Sequence, residues 1–493
     1  MNPAAARPRR VLVVGGGTAA WYAAATLAHT LPAGTEITVL EAPAAHDSAV
    51  LQPATPTFPA FAQSIAALGI DERGWLRATQ GAFRLGDSWE NGHGAGDYLL
   101  PLGETGAKFA SVPFLQQWLR LRAAGERAAF TDHSLAAVAA RLGRFSHPAA
   151  DPRSVLSVLR YGWHLDSAAC GNALRAVALR GGVRLVSGPL ESVQRREPDG
   201  FVSGVSAAGR RLEADLFLDC SGDAALLAGT AENGWRSWQN WFPCDRLLET
   251  RAAASPQTVL LTSRSAATAG WSWNIATRAS GHRGLVYCSA HLADADAARE
   301  LGSEALSAPR AFTSGRRERF WDGNVVALGL AACCIEPLRG TDLLLLQNAV
   351  SHLVTLFPAE DGRVESREYN RVVGEMLERV RDYALLPYVG AARADTPFWQ
   401  YFASLEMPEA LAYKMAQFRA RGRVVLGEEE SFDEADWTAS LVGLGVMPGR
   451  FDPLAESVPL PNARATFERL RELLQKAAGA LPTAPDYLDR YLA

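Results

Sequence analysis

Four consecutive apolar residues, Val11-Leu12-Val13-Val14, run into Gly15-Gly16-Gly17 and then into Thr18-Ala19-Ala20-Trp21. An unbroken apolar run of this length predicts a strand covered on both faces, as in a parallel sheet. From Trp21 to Leu31 the apolar residues recur at helical spacing, which predicts a helix packed on that strand. A second strand, Glu36–Leu40, follows and ends in Glu41. A further strand is expected at Gly182–Val186 after a Gly-Gly turn, and buried strands at Leu216–Leu218 and Asn324–Gly329. A small hairpin or meander is expected over Leu190–Val205 and Arg211–Leu218. A second sheet is expected from Gln257–Leu261, Trp271–Thr277 and Gly284–Ser289, with Trp271 and Trp273 on opposite sides of their strand. Leu51–Ile70 reads as a loop kept extended by Pro53, Pro56 and Pro59 and leading into a helix. Helical spacing marks Phe114–Arg127, Ala168–Arg180 behind an Asp166 or Ser167 N-cap, and Leu343–Phe357. Beyond Val364 the chain is mostly helical, over Tyr369–Leu385, Pro408–Arg421, Glu434–Leu444 and Ala463–Ala478.

Strands alternating with helices give an α/β fold. Gly15, Gly17 and Ala20 fill a Gly-x-Gly-x-x-Gly/Ala frame between the first strand and its helix. The first glycine permits a tight turn, the second lets the backbone approach a pyrophosphate, and Ala20 lets helix and strand pack closely. Amides at the helix start, including those of Thr18 and Ala19, then face the phosphates. Glu41 stands 26 residues past Gly15, where an acidic side chain holds ribose hydroxyls. The nucleotide-binding layer is expected from 11–45, 160–235 and 320–355, with a substrate sheet and loops from 46–159 and 236–319. Together these make a discontinuous module over 1–360, followed by a helical region over 361–493.

Composition narrows the function classes. The 493 residues are 48% apolar and 21% charged, with a formal net charge of −4, so nothing points to nucleic acid or an anionic membrane. The six cysteines form no C-x-x-C and no metal spacing, which predicts reduced, mostly buried thiols, a cytoplasmic setting and no metal. No apolar run of about 18 residues predicts a membrane span. Met1–Arg10 is too short for a signal peptide, because an apolar strand follows directly.

The motifs together resemble the flavin-dependent tryptophan halogenase family across nearly the whole chain. Gly15-Gly16-Gly17-Thr18-Ala19-Ala20-Trp21 is similar to the family's GGGTAGW. Tyr161…His164-Leu165-Asp166 resembles its YH-(F/L)-D segment, and Leu218-Asp219-Cys220-Ser221-Gly222 its second flavin-contacting strand. Gly270-Trp271-Ser272-Trp273-Asn274-Ile275 resembles its WxWxIP, with Ala276 in place of Pro. Ala327-Leu328-Gly329-Leu330 through Glu336-Pro337-Leu338 resembles its ALG…EPL strand and turn. The C-terminal runs Arg381-Asp382-Tyr383, Thr396-Pro397-Phe398-Trp399 and Asp452-Pro453-Leu454 are also similar to the family's. The resemblance implies a Rossmann-like FAD layer of the flavin monooxygenase type, a second β-sheet and a helical C-terminal region. It also implies a separate reductase that supplies reduced FAD, O2 as oxidant, and an aromatic, indole-like substrate, whether a small molecule or an exposed aromatic residue. A homodimer is one open assembly. No second glycine motif follows a strand, which agrees with an external source of reduced flavin. FAD contacts implied by the resemblance are Gly15, Gly17, Thr18, Ala19, Ala20, Glu41, Gly222, Gly329, Pro337, Leu338 and Thr341. Trp271 and Trp273 are implied to separate flavin from substrate.

The positions implied to carry halogenation differ. The family's catalytic lysine follows a Gly-Ala-Phe-like run, and that place is Arg84. Its second acidic residue lies in EPLEST(G), and here Arg339 replaces the glutamate while Asp342 replaces the final glycine that helps hold halide. A carboxylate about 4 Å from a halide opposes it by roughly 1 to 4 kcal/mol. The loop His-Pro-Phe-Gly becomes Leu100-Pro101-Leu102-Gly103. Two roles stay open for Arg84 and Arg339: gripping an anionic substrate or reaction intermediate, or pairing with Asp87 and Asp342. Glu336 is read as a candidate base or, more simply, as a holder of the turn before Pro337. His164, His93 and Cys333-Cys334 are read as polar or packing residues. The chemistry then expected is oxidation of the aromatic ring, by hydroxylation or another oxygenation in preference to halogenation; two alternatives stay open, a true halogenase with a rearranged site that favours bromide, and a non-catalytic flavin-binding homologue.

Overall fold

The computed structural model describes residues 9–41, 52–90, 96–107, 109, 112–197, 199–252, 260–302, 308–359, 362–391 and 393–493. The expected turn at Asn91–Gly96, with His93, therefore lies almost wholly outside the described residues, as does most of Gln257–Leu261. The chain divides into two compact units. One comprises Met1–Gly81, Leu165–Pro243 and Phe312–Glu378; the other comprises Ala82–His164, Cys244–Ala311 and Arg379–Ala493.

The first unit is built on a six-stranded sheet, in the order Trp321–Asp322, Val325–Ala327, Leu216–Asp219, Arg10–Val14, Glu36–Glu41, Arg184–Ser187. All pairings are parallel except the outermost, Trp321–Asp322 with Val325–Ala327. Val13 pairs with Leu218 on one side and Val39 on the other, and all three are inaccessible to solvent. Helices Thr18–Thr30 and Ser167–Arg180 pack together, and a Cβ on Gly171 would sit 3.0 Å from Thr18 Oγ1. The second helix starts where the sequence places it, with Asp166 accepting from the Ala169 amide at 2.8 Å. Leu190–Arg195, Val202–Ala207 and Arg210–Leu212 form the expected antiparallel meander. Within Leu51–Ile70, a three-residue strand Ala54–Pro56 precedes the helix Pro59–Ala67.

The second unit holds a seven-stranded sheet, in the order Arg310–Ala311, Arg246–Ala252, Gly281–Tyr287, Gly270–Ala276, Leu261–Ala267, Gly86–Glu90, Tyr98–Pro101. The sequence pattern missed Arg246–Ala252 and Leu261–Ala267. Both carry arginine and other polar residues where apolar ones mark a strand. Trp271 and Trp273 do not lie on opposite sides. They are two residues apart, and side chains alternate with a period of two, so they share a face. Trp273 pairs with Arg264, and Arg264 with Trp89, while the Trp271 ring meets the Trp89 ring at 5.1 Å. Helices make up most of the rest of this unit, among them Phe114–Ala123, Glu409–Arg421, Glu434–Gly443 and Leu460–Gly479. Among them Lys414 pairs with Glu430 and lies 3.9 Å over the Trp437 ring. No described helix is long and apolar enough to cross a membrane.

Candidate active site

The nucleotide end lies in the first unit. Strand Arg10–Val14 stops at Gly15, whose amide donates to Leu40 O at 2.9 Å, so the end of the next strand lies beside the glycine turn. Gly15 has φ +140°, and a Cβ there would lie 2.2 Å from Cys220 O. Only glycine fits, because the third strand closes on it as well as because the chain turns. Trp21 Nε1 donates to Gly16 O at 2.9 Å, pinning the middle of the turn. The helix begins at Thr18, with Gly17 as an N-cap that has no side chain to satisfy the first amides. Ala19 and Ala20 are fully buried, as close packing of helix on strand requires. Glu41 closes its strand; its carboxylate accepts from Arg175 Nε at 3.2 Å and stays about 30% exposed. These features suit the pyrophosphate and ribose of a dinucleotide. Gly222 and Gly329, at φ +77° and +61°, open two short helical turns that pack on each other. Asp219, at the end of strand Leu216–Asp219, is inaccessible and accepts from the amides of Ser221, Leu227 and Ala228 at 2.7–3.0 Å.

The run Glu336–Asp342 belongs to the same unit and is buried throughout. Pro337 O accepts from Gln52 Nε2 at 2.6 Å, and the Leu338 amide donates to Glu336 O at 2.7 Å. Glu336 and Arg339 are 1% and 2% exposed. Thr341 is inaccessible, and its hydroxyl has no hydrogen-bond partner among the described residues. It stands at the N-cap of helix Asp342–Thr355, with Asp342 in the first turn. Cys333 and Cys334 are free thiols. Burial, then Asp342, pushes Cys333 up to about 12, which makes it inert as a nucleophile.

Arg84, Trp271 and Trp273 belong to the second unit. Arg84 ends strand Ala82–Arg84, which pairs with Gly162–His164. Its guanidinium is 1% exposed. Nη2 donates to Asp87 Oδ1 at 2.6 Å, and Nε to Thr262 Oγ1 at 3.3 Å. Arg264, equally buried, reaches the same Asp87 oxygen at 2.7 Å and lies 5.0 Å over the Trp89 ring. Thr262 also meets His164 Nε2 at 2.9 Å. Burial pushes the Asp87 carboxyl up, but Arg264 and Arg84 outweigh it and hold the group well below the usual carboxylate range. Burial, then Arg84, lowers His164 to about 3, so that imidazole is neutral at pH 7. The register pairs Thr262 with Asp87, Arg264 with Trp89, and Arg264 with Trp273. Asp87, Thr262, Arg264, Trp89, Trp271 and Trp273 therefore stand on one face of one sheet.

A family model described as tryptophan halogenase matches residues 10–460. The chain belongs to the tryptophan halogenase family. It is 27% identical to tryptophan 7-halogenase RebH of Lentzea aerocolonigenes, over 97% of this chain and 98% of that one. Among solved structures, BrvH, a flavin-dependent halogenase from Brevundimonas sp. BAL3, superposes with a TM-score of 0.92 at 34% identity, covering 98% of this chain and 99% of that one. Xcc4156, a flavin-dependent halogenase from Xanthomonas campestris, gives 0.92 at 33%, covering 98% of each. This family member is accordingly an enzyme of the flavin-dependent oxidoreductase type, with FAD as its cofactor. The Arg84–Asp87 pair, one of two roles left open by the sequence, is formed. Arg264 and Thr262 were missed. The signal was there in Thr262, Arg264 and Ala266, spaced by two along one strand, but two polar side chains facing a core do not read as a buried face.

Proposed function

We propose that this family member uses reduced FAD and O2 to oxygenate an aromatic, indole-like substrate, and that halide takes no part. The observation that carries this is the Arg84 guanidinium, buried and held by Asp87 and Thr262. A guanidinium stays protonated below about pH 12. No neutral amine is then available at this position to take up an oxidised halogen. When bound, FAD supplies the activation of O2, one oxygen atom going into the substrate C–H bond and the other leaving as water.

The chain's own residues bind and exclude. The backbone of Gly15–Ala20 meets the pyrophosphate and Glu41 the ribose, while Gly222, Gly329, Pro337, Leu338 and Thr341 line the rest of the cofactor. Trp271 and Trp273, both at most 1% exposed, give the seven-stranded sheet a dry aromatic wall suited to an aromatic substrate. Arg339 meets an anionic group of the substrate, where a guanidinium grips a carboxylate in bidentate fashion. Glu336 holds the turn at Pro337. A separate reductase delivers reduced FAD, and six free thiols support a reducing, cytoplasmic setting.

The test is turnover of indole and tryptophan with FAD, a flavin reductase, NADH and O2, with and without bromide. Mass spectrometry should find a product that has gained one oxygen under both conditions. A brominated product that appears only with bromide overturns the reading. That second reading, a halogenase with a rearranged site, is favoured by one observation: the buried Thr341 hydroxyl has no hydrogen-bond partner among the described residues, which leaves an O–H able to donate to a bound halide.

A further inference from the structure

On the face that carries Trp271 and Trp273, a straight row crosses the sheet through Glu249, Gly284, Trp273, Arg264 and Trp89. Gly284 has no side chain, and the Trp273 indole occupies that place. A Cβ on Gly284 would lie 2.4 Å from Trp273 Cε2 and 2.7 Å from Nε1. The N–H edge of the ring thus reaches over Gly284 toward the next strand, where Glu249 stands directly opposite Gly284. Cβ atoms of directly opposed residues lie about 5 Å apart, so Glu249 is within one side-chain rotation of Trp273 Nε1.

Each group carries one buried polar atom with no hydrogen bond among the described residues, Trp273 Nε1 and Glu249 Oε1. A buried donor and a buried acceptor left unmade are each costly, and here they are complementary neighbours.

We propose that Glu249 is the positioning residue of Trp273, its carboxylate accepting a hydrogen bond from the indole N–H across Gly284. Ionised Glu249 anchors the ring; protonated Glu249 gives up much of that acceptor strength. Burial pushes Glu249 up to about 7, against the pull of Arg310; the indole N–H favours the ionised form and draws the group back down, so the contact switches at or below neutral pH. Among the described residues, Arg264 stands on the same face farther along the row. Arg251 shares its strand and face, and His282, opposite Arg251, is held by Ser280 at 2.8 Å. Arg310 stands on the neighbouring edge strand, opposite Leu247. The helix Asp294–Leu301 also packs on these strands and meets Tyr287, whose position is of opposite parity to Gly284, so its charges Asp294, Asp296, Arg299 and Glu300 lie on the far side. A role for the contact in turnover rests on the proposed aromatic wall. The contact itself does not.

The test is nitrogen-15 spectroscopy of the tryptophan indoles in the full-length protein, with the Trp273 signal assigned by its loss in Trp273→Phe. In the unsubstituted protein that signal should shift as pH falls, with its midpoint at or below pH 7. In Glu249→Gln it should stay put over the same range, while the other indole signals report an intact fold. A Trp273 signal in the unsubstituted protein that ignores pH overturns the proposal without any variant, and so does one that titrates identically in Glu249→Gln. Loss of the proposed oxygenation, by contrast, would leave this shift untouched.

Discussion

Arg84 Nη2 and Arg264 Nη1 converge on a single oxygen of Asp87, at 2.6 and 2.7 Å. One carboxylate thus ties the end of strand Ala82–Arg84 to the strands Gly86–Glu90 and Leu261–Ala267. Removing it leaves two buried guanidinium groups facing each other. Asp87→Ala should cost about 3 to 5 kcal/mol, measured by denaturant unfolding. Asp87→Asn, which keeps the shape but not the charge, should also fall well below the unsubstituted protein.

The same pair predicts the result of restoring a lysine. In Arg84→Lys, Asp87 and Thr262 hold the new ammonium protonated, and Arg339 and Asp342 remain as they are. Bromide should therefore yield no brominated indole with Arg84→Lys alone. A brominated product from this single change would show that the amine was the sole missing part.

At the nucleotide end, Gly15→Ala places a Cβ 2.2 Å from Cys220 O at φ +140°. The contact is backbone, so it does not give way easily. Titration followed by flavin fluorescence should show at least a tenfold loss of FAD affinity. Gly209→Ala, at an open position with φ +67°, serves as a control for strain without crowding.

Gly284→Ala tests the packing of the tryptophan wall. Its Cβ would lie 2.4 Å from the Trp273 ring, and overpacking of this kind costs about 1 to 3 kcal/mol. Near-ultraviolet circular dichroism should change as the indole is displaced, with secondary structure retained.

His164 supplies a pH dependence. Its folded pKa of about 3 lies below the ordinary value of about 6.5. The unfolded chain therefore binds the extra proton first as pH falls. The stabilising contribution is complete above about pH 6.5 and is lost progressively down to about pH 3. His164→Gln should flatten the acid limb of a stability-against-pH curve in that window.

Local pattern and tertiary placement contributed differently to this protein. Val11–Val14, the three glycines after them and Glu41 announced a nucleotide-binding strand, turn and helix, because that unit is contiguous and its apolar run has no other stable use. The cap at Asp166 and the long C-terminal helices were legible for the same reason, since helical spacing and capping act within a few residues. The substitutions at Arg84, Arg339 and Asp342 were visible as letters. What Arg84 does was not. Its partners lie 3 and about 180 residues away in the chain, and only the register of strands Gly86–Glu90 and Leu261–Ala267 brings them onto one face. The strand Leu261–Ala267 hid because its inward positions are Thr262 and Arg264, whose burial is tolerable only once Asp87 and Trp89 are there to meet them. The placement of Trp271 and Trp273 on one side follows from a period of two and was misjudged from the sequence; their neighbours Trp89, Gly284 and Glu249 were decided by strand order. Covalent neighbours dictate turns and helices, whereas the charge and hydrogen-bond partners of a buried polar group come from wherever the sheet happens to fold back.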